Sequence, residues 1–294
     1  MAKQLGGSWT VRKLDVLENY LRAYLTALSK HRDKLKLGYI DAFAGDGTIQ
    51  LATSEPEAGQ SILIDEQETE QIRGLVRGSA QRALELDPGF DGYVFIERDK
   101  ESAKRLHELK RAFPGKRIAI YPEDANACLT RLCNESEWKR RRAVVFLDPT
   151  GMQVDWATME VLAATKALDV WIWFPLGVGS NRLLTRSGII PETWQSRLDR
   201  IFGTSEWKTS FYAEDEKQTL FGVETVRSKI ATPLSIASYY NDRLKSIFPA
   251  VAPNPRIMHN STNNPIYLLC FASANPGRGG QIAVQIAKHL LNKA

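Results

Sequence analysis

Apolar and polar positions along the chain predict helices and strands in turn. Leucines recur at helical spacing over residues 12–30, with Arg, Lys and Asp between them, which predicts an amphipathic helix. Short apolar segments follow, and each has an acidic residue, Gly or Pro at or next to its end: YIDAFAG from residue 39, then 93–99, 117–125, 143–151 and 168–175. Helical patterns over 78–86 and 99–112 separate them, with Ser79 as the expected N-cap of the first. Strands alternating with helices predict a parallel sheet covered on both faces.

The second half of the chain departs from this alternation. Residues 256–261 and 266–273 flank the turn TNNP, which predicts an antiparallel hairpin at the end of the sheet, and 280–292 has a helical pattern. Residues 176–255 are rich in Trp, Tyr and Arg and too long for a bare loop, so we expect a helical cap inserted into the fold. Residues 51–77 are expected to form a loop or small insertion. The sequence thus predicts one α/β domain over residues 1–294.

Composition adds little about the partner and excludes some classes of protein. The net charge of +5 and the pI near 9.0 favour an anionic partner such as nucleic acid, although many proteins with this charge bind none. The cysteines Cys128, Cys133 and Cys270 resemble neither a disulfide scaffold nor a zinc pattern, so we expect reduced, buried side chains and no metal. No apolar run is long enough to cross a bilayer and no signal pattern is present, so a cytoplasmic protein is expected.

Polar residues end four of the predicted parallel strands. Asp41 is followed by a turn in which Gly45 and Gly47 let a ligand approach the backbone closely. The next strands end at Glu97, Asp124 and Asp148. Ligands of open parallel sheets bind at the carboxyl ends of strands, where an acidic side chain can accept hydrogen bonds from ribose hydroxyls. Each carboxylate alone could equally cap a helix or form a turn, but their serial placement favours a nucleoside site.

The type of nucleoside follows from two motifs that the sequence lacks. There is no GxGxxG to seat a pyrophosphate, which argues against NAD and FAD, and no GxxxxGK[ST], which argues against a P-loop nucleotide triphosphatase. A nucleoside ligand without phosphate remains, and S-adenosylmethionine fits that description.

Several longer motifs resemble a known family. YIDAFAGDGTI, GSAQRALEL followed by FDGYVFIERD, VVFLDPTGMQVDW and the terminal IYLLCFASANP resemble class I S-adenosylmethionine-dependent methyltransferases, and more narrowly the three-Cys-motif partner (TcmP) family. The resemblance extends from Trp9 to the last helix. It implies a Rossmann-like fold with a mainly parallel, seven-stranded sheet that ends in an antiparallel hairpin. The three cysteines of the family name belong to a radical-enzyme-like partner protein, which is therefore a possible partner here.

The resemblance also implies roles for individual residues. The turn from Asp41 to Gly47, including Phe43, Ala44 and Gly45, is expected to hold the methionine part of the cofactor. Glu97 is expected to bind the ribose hydroxyls, with Arg98 beside it in the site. Asp124 and Ala125 are expected to contact the adenine, and Asp148 and Pro149 to line the place where the methyl group leaves.

The Asp148–Pro149 pair suggests an acceptor. Enzymes that methylate amines of DNA or RNA use an Asp/Asn-Pro-Pro-aromatic turn, in which the aromatic ring stacks on the flipped base. Thr150 and Gly151 replace the second half of that turn, so the usual stacking residue is missing. Trp156, Trp173 and Phe174 could replace it, although large aromatic residues at this spacing are more often core. We therefore expect a methyltransferase acting on a nucleic-acid or nucleotide amine; the alternative is a methyltransferase-like binding partner with little or no turnover.

Overall fold

Helices and strands alternate through the first two thirds of the fold. The structure, a computed structural model, describes residues 8–46, 48–49, 76–219, 222–260 and 262–293. Residues 51–75 of the loop or small insertion predicted over 51–77 lie outside these ranges, as does the predicted site residue Gly47. The described helices are α1 Ser8–Ala27, α2 Ser79–Leu84, α3 Lys100–Ala112, α4 Ala125–Glu135, α5 Trp156–Ala164, α6 Glu192–Phe202, α7 Trp207–Phe211, α8 Pro233–Ile247 and α9 Arg278–Lys293.

The strands confirm the predicted mainly parallel sheet with an antiparallel end. They are β1 Lys36–Asp41, β2 Thr48–Ile49, β3 Val76–Arg77, β4 Gly92–Ile96, β5 Ile118–Tyr121, β6 Arg141–Leu147, β7 Leu168–Phe174, β8 Tyr212–Thr219, β9 Gly222–Lys229, β10 Ala250–Val251, β11 Arg256–His259 and β12 Pro265–Ser273. The main sheet has the order β10-β12-β7-β6-β1-β4-β5, and β11 also pairs with β12, so the sheet has eight described strands where seven are expected. The strands β5, β4, β1, β6 and β7 run parallel, and β12 is antiparallel to β7.

The main sheet is buried on both faces, which explains the uninterrupted apolar runs of its central strands. Every residue of β7 is buried. Its side chains alternate between two cores, with Trp171 and Trp173 in the core that contains α1 and Ile172 and Phe174 in the other. The carboxyl ends of the five parallel strands meet at one edge of the sheet, called the carboxyl edge below.

Helix α1 is held across its face of the sheet by its apolar stripe and by ion pairs. Its buried stripe includes Leu17 and Leu21, as the leucine spacing predicts. Arg82 of α2, itself buried, forms ion pairs with Asp15 at 2.6 Å and with Glu18 at 3.2 Å. These contacts fix the beginning of α1 near the carboxyl edge of the sheet.

The segment 176–255 contains more than the expected helices. It begins with a π-helix, Leu176–Asn181, directly after β7, and continues through α6 and α7. An antiparallel hairpin, β8–β9, then follows, which the sequence pattern did not predict. Helix α8 comes next, and its bounds agree with the pattern over 233–248; its N-cap Thr232 forms a capping box with Ser235.

Candidate cofactor and acceptor site

The turn after β1 is tied to both neighbouring strands. The backbone N–H of Ala42 donates to the carbonyl of Phe146 at 3.0 Å, and that of Ala44 donates to the carbonyl of Ile96 at 3.1 Å. Gly45 has φ +60°, the left-handed region that favours glycine, and a Cβ there would meet no atom within 4 Å. The turn therefore presents open space beside a rigidly held backbone, and this fits a ligand that lies close to Gly45.

Asp41 lies beneath this turn with 0% exposure. Its carboxylate accepts hydrogen bonds from the Tyr39 hydroxyl at 3.2 Å and from the Phe43 N–H at 3.4 Å. Burial raises the pKa of Asp41 to about 7, a hydrogen bond from Ser79 opposes that shift, and the charge of Asp148 adds to it. Asp41 therefore positions the turn from below, while half-buried Phe43 and buried Ala44 form the turn itself.

Ser79 differs from its predicted role. The N-cap of α2 is Gly78, without a side-chain capping bond, and the Ser79 side chain bonds to Asp41 instead. Ser79 thereby connects α2 to the end of β1, so the helix that holds α1 through Arg82 also supports the turn.

The carboxylate of Glu97 connects the first two strand ends. Its Oε2 accepts from the Gly45 N–H at 2.9 Å, and its Oε1 accepts from the Asp99 N–H at 2.7 Å. Glu97 is partly exposed and Arg98 is exposed. Asp99 is the N-cap of α3 and accepts from the Ser102 N–H at 2.8 Å. The structure thus brings the predicted ribose-binding carboxylate into direct contact with the predicted methionine-binding turn.

Asp124 ends the next strand and caps α4. Its Oδ1 accepts from the N–H groups of Asn126 at 2.9 Å and Ala127 at 3.1 Å, and its side chain is exposed next to buried Ala125. Asn126 donates to the carbonyl of Gln153 at 2.8 Å, which joins this helix start to the loop after β6. Asp124 is both a cap and an exposed carboxylate at the carboxyl edge.

Asp148, at the end of β6, is paired with a lysine that the sequence analysis did not identify. Lys13 Nζ of α1 lies 2.5 Å from Asp148 Oδ2, and the side chains are 6% and 23% exposed. Pro149 is buried, and Thr150 donates to the Gln153 side chain from its N–H at 3.1 Å and its hydroxyl at 3.2 Å. Lys13 precedes Leu17 by four residues on the apolar stripe of α1, and a lysine in line with such a stripe is the signal that could have revealed it.

Two aromatic residues, Trp173 and Tyr267, lie beside the Lys13–Asp148 pair. Lys13 Nζ lies 4.9 Å from the ring centroid of Trp173, and Trp173 stacks on Tyr267 of β12 with centroids 5.3 Å apart. Burial and the charge of Asp148 raise the pKa of Tyr267 to about 12. Trp173 is 1% exposed, whereas Tyr267 is partly exposed.

The three aromatic residues considered for stacking are core residues. Trp156, Trp173 and Phe174 are 3%, 1% and 1% exposed. Phe174 stacks on Tyr240 with ring centroids 3.9 Å apart, and Trp156 contacts Tyr240 edge-on. The cysteines are free and buried, as expected, and burial raises the pKa of Cys270 above its ordinary range.

The described ranges contain neither a membrane-spanning helix nor a metal-binding cluster. Within them, no helix is long and apolar enough to span a bilayer. The same residues contain no group of three or more His, Cys, Asp or Glu side chains arranged to hold a metal ion.

Known proteins resemble this chain in structure rather than in sequence. No protein-family model matches the chain, and no curated protein matches it. It is similar to the crystal structure of protein LPL1258 from Legionella pneumophila str. Philadelphia 1, of family model DUF519, at 15% identity over 99% of this chain and 93% of that chain, with a TM-score of 0.54. At this identity the similarity shows the fold alone.

Two further structures are more distant. The N-terminal domain of EvdMO1 with S-adenosylhomocysteine (SAH) bound has 9% identity over 86% of this chain and 80% of that chain, with a TM-score of 0.35. An S-adenosylmethionine-dependent methyltransferase from Clostridium acetobutylicum ATCC 824 has 8% identity over 87% and 91%, with a TM-score of 0.30. The strand order and directions define the class: this is a Rossmann-like fold of the class I methyltransferase type.

Proposed function

We propose that the protein is an S-adenosylmethionine-dependent methyltransferase of the three-Cys-motif partner type, acting on a nucleic-acid or nucleotide amine. The observation that carries the proposal is the contact of Glu97 with the N–H of Gly45, because it joins a ribose-type carboxylate to an open, glycine-containing turn at the carboxyl edge. Such a pairing of groups suits a nucleoside with a short charged tail.

The residues present fit this cofactor. Phe43, Ala44 and Gly45 would hold its methionine part, and Asp41 would act through the turn because it is itself buried. Glu97, beside Arg98, would accept from the ribose hydroxyls, and exposed Asp124 with Ala125 would meet the adenine. Gly47 belongs to the same proposed site by its place in the sequence.

The proposed role of Asp148 in methyl transfer follows from its position, because β6 lies next to β1, which leads into the cofactor-binding turn. S-adenosylmethionine supplies an electrophilic methyl group when it is bound. Asp148 would accept a hydrogen bond from the acceptor amine, and Pro149 would offer its carbonyl oxygen to the same group. The Lys13 side chain forms an ion pair with Asp148, so an incoming amine must share the Asp148 carboxylate with Lys13 or displace Lys13 from it. In this proposal the segment 176–255 selects the acceptor, since it begins at the same edge of the sheet.

One observation favours a second candidate, a cofactor-binding partner of a radical-enzyme-like protein without turnover. The carboxylate that would align an acceptor is already paired with a buried lysine at 2.5 Å. If that pair does not open, the cofactor site would serve binding alone.

The first experiment is calorimetry of the folded protein with S-adenosylmethionine and with SAH. We expect micromolar affinity, which corresponds to about −8 kcal/mol. Absence of heat with both ligands in a folded sample would reject the cofactor assignment.

The second experiment separates the two candidates by methyl transfer. Radiolabelled S-adenosylmethionine is incubated with fractionated cell DNA, RNA, protein and small molecules, with and without the radical-enzyme-like partner. Asp148→Ala should bind the cofactor but transfer roughly 10²-fold more slowly, because small misplacements of a reacting group carry losses of that size. The matched control is Asp155→Ala, which removes a carboxylate that pairs with Arg200 at 2.9 Å. Tight cofactor binding with no labelled product in any fraction would favour the second candidate.

A further inference from the structure

Four successive backbone N–H groups of the turn after β1 have acceptors within the protein. Residues 42–45 donate, in chain order, to the Phe146 carbonyl, the Asp41 carboxylate, the Ile96 carbonyl and the Glu97 carboxylate, over 2.9–3.4 Å. A turn that binds a phosphate or carboxylate group does so with free N–H groups that point at the anion. Residues 42–45 therefore offer no such donor to an anionic part of a ligand.

The charged groups beside this turn suit a cation instead. Glu97 is partly exposed and contacts Gly45 directly, and Asp41 lies buried beneath the turn. Asp46, the next residue of the chain, pairs with Arg105 at 3.2 Å. Carboxylates thus border the open space at Gly45 from below and from one side. An amino-acid tail carries one ammonium and one carboxylate group, and the ammonium group is the one that these surroundings favour.

The groups that face Asp41 leave its negative charge poorly compensated. Burial raises the pKa of Asp41 to about 7; hydrogen bonds from Ser79 and Tyr39 oppose that shift, and the charge of Asp148 adds to it. Cations of the neighbouring helices pair with other carboxylates: Lys13 with Asp148, and Arg82 with Asp15 and Glu18. A positive charge brought to the turn would therefore favour ionisation of Asp41.

Resting on the proposed function, we propose that the turn binds the α-ammonium group of the cofactor and that Asp41 is its buried counter-charge, so that cofactor binding releases the proton of Asp41 to solvent. Asp41 does not touch the ligand and acts from beneath the turn, as a positioning residue. An opposite charge within about 4–6 Å lowers the pKa of a carboxyl group by about 1–3. The cofactor-bound protein then holds this proton less tightly than the free protein, so cofactor affinity rises with pH until Asp41 of the free protein is ionised.

The test is calorimetry of the full chain with SAH from about pH 5.5 to about pH 7.5, below the range in which an α-amino group titrates. SAH carries the ammonium group without a sulfonium, so it isolates the effect of the tail. SAH affinity should be roughly 5- to 25-fold higher at the upper pH, as a pKa that falls by about 1–3 from about 7 requires. Titrations in buffers of different ionisation enthalpy should show release of roughly 0.5–0.8 proton per SAH near pH 6.5. 5′-Methylthioadenosine, which lacks the amino-acid tail, should bind without pH dependence or proton release.

Three variants assign the proton to Asp41. Asp41→Asn cannot titrate, so its SAH affinity should be the same at both pH values and close to that of the wild type at the lower pH. Asp169→Asn is the matched control: Asp169 is also buried, with a pKa raised to about 6, but it pairs with Ser273 at the start of β7, at the opposite edge of the sheet. It should keep the wild-type pH dependence. Ser79→Ala keeps Asp41 but removes a hydrogen bond that favours its ionised form, so the rise in affinity should move to higher pH, and this variant tests the proposal even where Asp41→Asn does not fold.

The outcomes also distinguish this inference from the proposed function. Proton release that persists in Asp41→Asn, or that disappears in Asp169→Asn, would overturn the role of Asp41. Equal release with 5′-methylthioadenosine would overturn the assignment to the ammonium group. If the wild-type protein binds SAH without pH dependence or proton release, the coupling is rejected while the cofactor assignment stands. If the folded wild-type protein binds neither SAH nor S-adenosylmethionine, both are rejected.

Discussion

Lys13 Nζ and Asp148 Oδ2, from residues 135 positions apart in the sequence, lie 2.5 Å from each other. The pair joins the first turns of α1 to the end of β6. Lys13 is nearly inaccessible, so its charge has little access to water and depends on Asp148 for compensation. The N-terminal helix is therefore part of the acceptor side of the candidate site, in addition to covering the sheet.

Removing the lysine should destabilise the fold. Lys13→Met leaves the Asp148 carboxylate without its partner, and we expect a loss of about 1–3 kcal/mol in the free energy of unfolding, below the 3–5 kcal/mol of fully buried pairs because Asp148 is partly exposed. Urea denaturation measures it. The double variant Lys13→Met/Asp148→Asn should recover part of the loss. Lys104→Met, which breaks an exposed pair with Glu101, should leave the midpoint unchanged; equal effects at the two lysines would contradict the prediction.

Two buried carboxyl groups should make stability fall as the pH rises. Burial raises the pKa of Asp41 to about 7 and that of Asp169 to about 6. Because unfolding returns both to near 3.9, the folded state binds protons more tightly, and this stability is complete below about pH 4 and lost as the pH rises through about 6 and 7. Between about pH 5 and pH 8 each group should account for about 1–3 kcal/mol of the decrease.

Urea midpoints across this pH range check the sign. Asp41→Asn and Asp169→Asn should each flatten the decrease, since an amide does not titrate. Asp169 accepts hydrogen bonds from Tyr20 and Ser273, so its variant also reports whether those donors tolerate an amide. Asp242→Asn, at an exposed ion pair, should keep the wild-type pH dependence. A decrease that survives in both buried variants would contradict the assignment.

The strand ends could be predicted from sequence because each is a local pattern. An apolar run followed by Asp41, Glu97, Asp124 or Asp148 is visible within ten residues, and parallel topology then places these ends at one edge. Lys13 and Tyr267 could not be found in this way, because their contacts with the site depend on the packing of α1 and the pairing of β12.

Two other features of the structure were not predicted from the sequence, and each has a local physical reason. The hairpin β8–β9 was not predicted because its first strand, YAEDEKQT, is mainly polar and has no alternation of apolar residues. The burial of Asp41 was not predicted either, because a polar residue at a strand end is usually exposed. Here Tyr39 and Ser79 supply the hydrogen bonds that a buried carboxyl group requires.

The role of Glu97 can be tested by separating cofactor affinity from stability. Glu97→Ala removes the groups that would accept from two ribose hydroxyls, so SAH affinity should fall by about 1.5–3 kcal/mol, as for hydrogen bonds to charged groups. Glu97→Gln retains one acceptor oxygen, so its SAH affinity should lie between those of the wild type and Glu97→Ala. Calorimetry measures the SAH affinity, and thermal unfolding measures the stability of each variant. The control Glu101→Ala lies on the exposed start of α3. Unchanged SAH affinity with a lower melting temperature would contradict the ribose-binding role. Glu97 would then only stabilise the fold through its contacts with Gly45 and Asp99.

Nucleic-acid binding should depend on arginines that follow the π-helix. Arg182, Arg186 and Arg197 are exposed. Reversing all three to Glu should weaken binding of fluorescein-labelled single-stranded oligonucleotides and reduce the slope of log affinity against log salt by roughly 2, because each lost phosphate contact removes about 0.7 for single strands. Anisotropy titrations at several salt concentrations measure the slope.

The matched control reverses three exposed cations at the opposite edge of the sheet. Lys110 and Arg111 end α3, and Arg117 directly precedes β5, so all three lie away from the strand ends that carry the candidate site. Both triple variants change the net charge equally, so a general electrostatic effect would weaken binding equally in the two. A larger loss of affinity and slope in the Arg182/Arg186/Arg197 variant places phosphate contacts at the segment 176–255, because only local contacts release counterions there. Equal slopes in the two variants would remove this surface from the binding site.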